Sequence, residues 1–226
     1  MEIGIIGSGN IGSILAGHLT ESGHKVLIAN SRGPETLTVI ASKTGADPVR
    51  VEAAAGAKDL VIIAIPAKAM VNLPTDILSA SEAIIVDAGN YYPSRDGQIT
   101  EIANGAADSE WTAKIIGHPV IKAFNNIVAQ SLAEKAVPAG SSNRIALSVA
   151  GNDEAQKKVV VKLIDGIGFD AIDGGLLSES WRQQPGEPAY CQDLDKDQLE
   201  AALQEADISK RAENLAAADE TARPYL

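Results

Sequence analysis

A single cysteine, Cys191, among 226 residues excludes an intrachain disulfide framework and any Cys-x-x-Cys metal or redox pair. Long apolar runs are missing too. The longest, Leu60 to Pro66, is far shorter than the ~20 residues of a membrane-spanning helix, and Met1 leads into Glu2-Ile3-Gly4 without a basic stretch or a small-residue cleavage site. The expectation is a cytoplasmic protein with no membrane partner. Basic residues are scarce: 19 Lys plus Arg against 30 Asp plus Glu set a formal net charge of −11. That argues against a nucleic-acid partner and leaves only a local site for any phosphate. There is no HExxH, no nucleophile elbow and no P-loop. The Tyr-x-x-x-Lys pattern fails at Tyr91 and Tyr92, which have Arg95 and Asp96 four residues on. No metal site is expected.

What is present is a rhythm. Ile3 to Ile6 is a short apolar run ending in glycines, and Asn10 to Glu21 then carries apolar residues at helical spacing up to Ser22-Gly23. Strand-like runs recur at Lys25 to Ala29, Val49 to Val51, Leu60 to Ile65, Ala83 to Asp87, Val120 to Phe124, Ile145 to Ala150 and Phe169 to Ile172. Between them, helices are expected at Pro34 to Thr44, Lys68 to Leu78, Asp108 to Ile116 and Asp153 to Gly166. Continuous apolar strands alternating with amphipathic helices predict an α/β fold with a doubly wound, mostly parallel sheet, the NAD(P)-binding Rossmann class. It is expected to span residues 1–175, with a small C-terminal helical extension over 176–226.

Gly7-Ser8-Gly9-Asn10-Ile11-Gly12 fits GxGxxG, placed after the first strand and opening a helix. In that context Gly7 makes the turn, Gly9 lets amides approach a pyrophosphate, and Gly12 lets helix and strand pack closely. The second strand ends Asn30-Ser31-Arg32, with no acid to bind a ribose 2′-hydroxyl but with a hydroxyl and a guanidinium. This predicts NADP over NAD, an ordinary loop charge being the other reading of Arg32. Ile65 and Pro66, and then Ala88, Gly89 and Asn90, fall at carboxyl edges of the expected sheet, where such folds place ligands, although Pro66 reads equally well as a plain strand terminator. The run Lys122-Ala123-Phe124-Asn125-Asn126-Ile127 supplies a lysine, an aromatic and two amides at another such edge. Asn125 can bond a carboxamide or a ring carbonyl and Phe124 can pack a planar ring; Lys122, Phe124 and Asn125 are therefore positioning candidates, with Ala123 and Asn125 facing the cofactor. A strand followed by an Asn-rich helix cap is the alternative. His18, His24 and His118 read as structural, so hydride transfer by orientation fits better than an acid–base relay.

These motifs, together with Asp173-Gly174-Gly175-Leu176-Leu177-Ser178-Glu179-Ser180, resemble the NADP oxidoreductase, coenzyme F420-dependent family over residues 1 to about 190. The resemblance implies NADP(H) at the first turn and at Ser31-Arg32. It further implies a hydride acceptor stacked over the nicotinamide with contacts near Leu177, and a homodimer whose C-terminal segments help build the interface. Phe124-Asn125 is similar to the cytosolic NADPH domain of the six-transmembrane metalloreductases, which pass hydride to a flavin. The expected acceptor is accordingly coenzyme F420, FMN or FAD, bound by Phe124, Asn126, Leu177 and Trp181. Two rivals stand beside this reading: a reductase of imines or small carbonyls related to pyrroline-carboxylate reductase, and a non-catalytic NADP(H)-binding sensor.

Overall fold

Ile3, Ile5, Val61, Ile62, Ile63, Ile85 and Val86 are all buried. Branched residues without polar alternation are what a sheet covered on both faces requires. In the computed structural model, which describes residues Met1–Leu226, the first half runs β1 (Glu2–Ile6), α1 (Asn10–Glu21), β2 (Lys25–Ala29), α2 (Thr38–Thr44), β3 (Asp47–Pro48), α3 (Val51–Ala55), β4 (Leu60–Ile63), α4 (Thr75–Ser79) and β5 (Ile84–Asp87). The second half runs α5 (Pro93–Asp96), α6 (Thr100–Ala103), α7 (Asp108–Ile116), β6 (Ile121–Lys122), α8 (Ala129–Glu134), β7 (Ala146–Val149), α9 (Glu154–Gly166), β8 (Asp170–Asp173), α10 (Lys196–Glu205) and α11 (Arg211–Ala222). Three 3-10 segments matter below: Pro34–Leu37, Ala67–Asn72 and Leu177–Gln183.

The main sheet has the order β3-β2-β1-β4-β5-β6, with every pairing parallel. The winding reverses between β1 and β4, so their carboxyl ends open a crevice of the kind in which such sheets hold ligands. β7 and β8 pair parallel with each other and join β6 through an antiparallel bridge. There Lys122 and Ala150 exchange both backbone hydrogen bonds, at 2.8 and 3.0 Å. This is the doubly wound, mostly parallel α/β architecture expected, with its one reversal at β6.

The helical tail folds back on its own chain. Leu199, Ala202 and Leu203 of α10 join Ala146 and Ala189 in a small apolar cluster. α11 buries only Asp219, which accepts hydrogen bonds from the Ser94 amide (3.0 Å) and hydroxyl (2.8 Å).

Four local expectations are corrected. The third strand is Asp47–Pro48 rather than Val49 to Val51, because Ala53-Ala54-Ala55 draws Val51 into α3. The helix expected over Lys68 to Leu78 is divided into a 3-10 segment and α4 by Pro74, which lacks an N–H and interrupts the ladder. The first turn of the Pro34 to Thr44 helix is 3-10. The sixth strand stops at Lys122 because Phe124 has φ 65°, outside the extended region.

α3 lies against β1 so closely that a Cβ on Gly4 would stand 1.9 Å from the Ala54 carbonyl oxygen. Gly4→Ala is therefore expected to lower stability by about 1–3 kcal/mol, the usual cost of overpacking. Urea unfolding checks it, and an unchanged midpoint would show that α3 shifts freely.

Candidate functional site

The crevice is a cleft of about 410 Å³ lined at the strand ends by Gly7, Ser8, Gly9, Asn30, Ser31, Arg32, Ile65 and Pro66. Its floor follows from the three glycines. Gly7 has φ 123°, and a Cβ there would stand 2.2 Å from the Ala64 carbonyl oxygen. A Cβ on Gly12 would stand 2.0 Å from the Gly7 carbonyl oxygen, so any side chain would push α1 off the turn. Gly9 has nothing within 4 Å on its Cβ side, and no side chain caps α1. The first amides of that helix are thus left for an anion in the cleft. Asn10 is exposed and Ile11 half-buried in the same turn.

At the end of β2, Asn30 ties the loop together. Its Nδ2 donates to Ser8 Oγ (3.2 Å) and Thr36 Oγ1 (3.0 Å), while its Oδ1 accepts from the Arg32 amide (2.9 Å). Both amide hydrogens are engaged, so Asn30 shapes the site and leaves ligand contact to its neighbours. Ser31 and Arg32 are exposed on the cleft wall. Sequence reasoning missed Val51, Ala69, Asn72 and Leu73, which also line the cleft. They come from α3 and the Ala67–Asn72 segment, and the only advance signals were the alanine run and Pro74.

The other candidates gather at the carboxyl ends of β5 and β6, in roles that differ from those expected. Lys122 is 0% exposed. Its ammonium donates to the Gly89 carbonyl at 2.5 Å and lies 3.5 Å from Asp87 Oδ2. Asp87 in turn accepts from the Gly89 amide (2.9 Å) and Ser109 Oγ (2.7 Å). Lys122 therefore supports the Gly89 loop from beneath and does not face the cleft. Phe124 is 0% exposed within the apolar core, so its ring offers no face to a ligand ring. Asn125 is also engaged: Nδ2 donates to Asn90 Oδ1 (3.0 Å) and the Gln183 carbonyl (2.7 Å), and Oδ1 accepts from Gln183 Nε2 (2.8 Å). It is a strut between sheet and C-terminal segment rather than a free amide.

Leu177 is buried, with its amide bonded to Asn152 Oδ1 (3.0 Å). It borders a separate cavity of about 490 Å³ with Val120 and Ile121, at the amino end of β6 and so at the opposite edge of the sheet from the cleft. Trp181 is half-buried in the same 3-10 segment, whose last residue, Gln183, is the one that reaches Asn125. Ala88 and Ala123 are buried, whereas Gly89 and Asn90 are half-buried. Asn126 stands apart: it is 1% exposed, and neither Nδ2 nor Oδ1 has a partner. A buried amide in that state leaves two N–H donors and a carbonyl oxygen unmet by the chain.

Comparison with known proteins locates this arrangement. The model of the family described as NADP oxidoreductase coenzyme F420-dependent matches residues 2–91. The structure of hypothetical protein SMa0349 from Sinorhizobium meliloti superposes with a TM-score of 0.72 at 31% identity, covering 87% of this chain and 96% of that one. A "putative f420 dependent nadp-reductase" from Arthrobacter sp. FB24 superposes with a TM-score of 0.66 at 24% identity, covering 80% and 87%. "Putative protein YjhV" of Escherichia coli (strain K12) is 46% identical over 57 residues, which take in 25% of this chain and 42% of that protein. The chain thus matches less than half the length of that curated relative.

Beneath the site, burial pushes the Asp108 carboxyl up, opposed by the Lys122 ammonium, and its Oδ2 accepts from the Tyr91 amide at 3.0 Å. An acid raised in the folded state loses stabilisation as pH climbs from its unfolded value through its folded one. Asp108→Asn keeps an oxygen for the Tyr91 amide, so its stability relative to wild type is expected to improve between pH 4 and pH 7. Denaturant unfolding at the two pH values reads this directly; an equal difference at both would show that Lys122 compensates the charge fully.

Proposed function

From a chain that belongs to the NADP oxidoreductase, coenzyme F420-dependent family, we propose an enzyme that carries hydride between NADP(H) and a flavin-type acceptor, either FMN or FAD or the deazaflavin coenzyme F420. The observation that carries this reading is the cleft: an uncapped amino end of α1 beside Gly9, with Arg32 where an NAD-selective site would put an acid. The nicotinamide cofactor supplies a hydride when bound. The protein's own contributions are binding and orientation. The first amides of α1 hold the pyrophosphate, and Ser31 with Arg32 holds the 2′-phosphate. Ile65 and Pro66 limit the travel of the nicotinamide ribose. The Asn90–Asn125–Gln183 strut keeps the wall beyond it rigid.

No histidine competes for an acid–base role. His18 Nε2 is bonded to the Leu132 carbonyl (2.8 Å), His118 to the Pro119 and Ser81 carbonyls (2.6 and 3.1 Å), and His24 to the Met1 amino group (3.3 Å). Transfer between two stacked rings needs orientation above all, and that is what these elements supply.

Two measurements test the reading. Arg32→Ala removes charge-assisted bonds worth about 1.5–3 kcal/mol, so NADPH is expected to bind roughly 10- to 100-fold more weakly while NADH changes little; equal loss for both cofactors would sink the 2′-phosphate assignment. Anaerobic NADPH oxidation with coenzyme F420, FMN, FAD and riboflavin offered separately, and NADH run beside each, is expected to show turnover with at least one acceptor and a preference for NADPH. Tight NADPH binding without turnover on any of them would overturn the flavin-type acceptor and leave a small substrate such as an imine or carbonyl, or the sensor, as the reading.

A further inference from the structure

We propose that Asn72 is the residue that recognises the base of the dinucleotide, its carboxamide pairing with the amino edge of adenine beside an aliphatic wall of Val51, Ala69 and Leu73. This rests on the reading of the cleft as an NADP(H) site. It adds base selectivity, carried by a side chain that belongs to no glycine motif.

Five polar side chains line the cleft: Ser8, Asn30, Ser31, Arg32 and Asn72. Asn30 is spent on the loop, with both amide hydrogens engaged. Ser8 sits in the glycine turn assigned to the pyrophosphate, and Ser31 with Arg32 is assigned to the 2′-phosphate. Asn72 is the polar group left over. It is exposed on the cleft, and its carboxamide is engaged by no other group of the chain.

The two ends of the cleft are distinct. In NADP the extra phosphate is on the ribose that carries adenine, so the base lies on the Arg32 side and the nicotinamide beyond Ile65 and Pro66. β3 is the neighbour of β2 in the sheet, and Val51 opens α3 just after it. Leu73 belongs to the apolar cluster against which Val51 packs, so the two make one continuous wall at this end. No aromatic ring lines the cleft. The face of a base is therefore covered by aliphatic surface alone, and its orientation must come from a polar group at its edge.

Adenine sets an amino donor beside a ring-nitrogen acceptor. A carboxamide presents an acceptor beside a donor, which is why Asn and Gln are the side chains that pair with adenine through two hydrogen bonds. A carboxylate would accept from the amino group and repel the lone pair next to it, and none lines the cleft. Asn72 is free at its tip and fixed at its root. It ends the Ala67–Asn72 segment; Leu73 after it is buried, with its amide donating to the Met70 carbonyl at 3.1 Å. Pro74 then stiffens the exit. Docking a base thus orders one short side chain and no backbone.

The decisive comparison is between NADPH and its ethenoadenine analogue, in which a two-carbon bridge ties up the amino nitrogen while the phosphates and nicotinamide are unchanged. Isothermal titration gives both affinities in the wild type and in Asn72→Ala, whose exposed position leaves the unfolding midpoint as it was. The wild type is expected to bind NADPH about tenfold more tightly than the analogue. Asn72→Ala is expected to lose that tenfold for NADPH and to hold the analogue within about twofold of wild type. A purely structural role would weaken both ligands together. Equal losses, an unchanged NADPH affinity in Asn72→Ala, or a wild type that does not distinguish the two ligands overturns the proposal and leaves the NADP(H) reading standing. A wild type that binds neither ligand overturns both.

Discussion

Removing a carboxylate and an ammonium from water costs several kcal/mol each, and their mutual attraction repays this only when the remaining lone pairs and protons are also met. Asp87 and Lys122 satisfy that condition on the last rung of the β5–β6 pairing. The carboxylate accepts from the Gly89 amide and Ser109, and the ammonium donates to the Gly89 carbonyl. Both polar groups of a single backbone unit are thereby held by the two ends of one ion pair. The backbone of Lys122 also exchanges hydrogen bonds with Ala150, so the same residue joins the parallel sheet to the β7–β8 pair. The pairing of β5 with β6 covers only two rungs, too few for backbone bonds alone to specify register firmly. A buried pair that tolerates one arrangement supplies that specification.

From this anchor a second layer of polar contacts runs outward. Asn125 clasps Asn90 on one side and Gln183 on the other, and Gln183 continues to the Ser148 hydroxyl (2.7 Å) and carbonyl (3.1 Å) of β7. Amides suit such a position because each offers a donor and an acceptor of fixed direction, which an apolar contact does not. The tail is secured in the same manner: Arg211 donates to the Gly105 and Ala106 carbonyls and to Gln184 Oε1, and Asp219 receives Ser94. α11 accordingly docks by direction rather than by an apolar stripe, which is why its sequence shows none.

Legibility in the sequence followed the range of the interactions. Gly7, Gly9 and Gly12 could be assigned separate jobs because the turn they form is local; the structure shows the tight turn at Gly7 and the close packing at Gly12, and leaves the Cβ side of Gly9 open. The parallel strands were legible because burial on both faces leaves no polar alternation. Phe124, Asn125 and Leu177 were misread for the opposite reason. Residue type allowed Phe124 to stack and Asn125 to bond a ligand, but partners 58 residues away and a positive φ decide otherwise. Leu177 and Gln183 lie six positions apart on one 3-10 segment yet serve opposite edges of the sheet, a separation that spacing alone does not convey.

The two halves of the site therefore differ in how they are built. The cofactor half is made from β1, α1 and the ends of β2 and β4, each within a few residues of the next, and it depends on backbone geometry that only glycine permits. The second half is assembled from residues near 90, 125 and 183, brought together by the Asp87–Lys122 anchor and the amide strut. The family match covers residues 2–91, so it takes in the first half and ends where the second begins. A chain can keep the first and change the second by altering side chains on a framework whose register is already set.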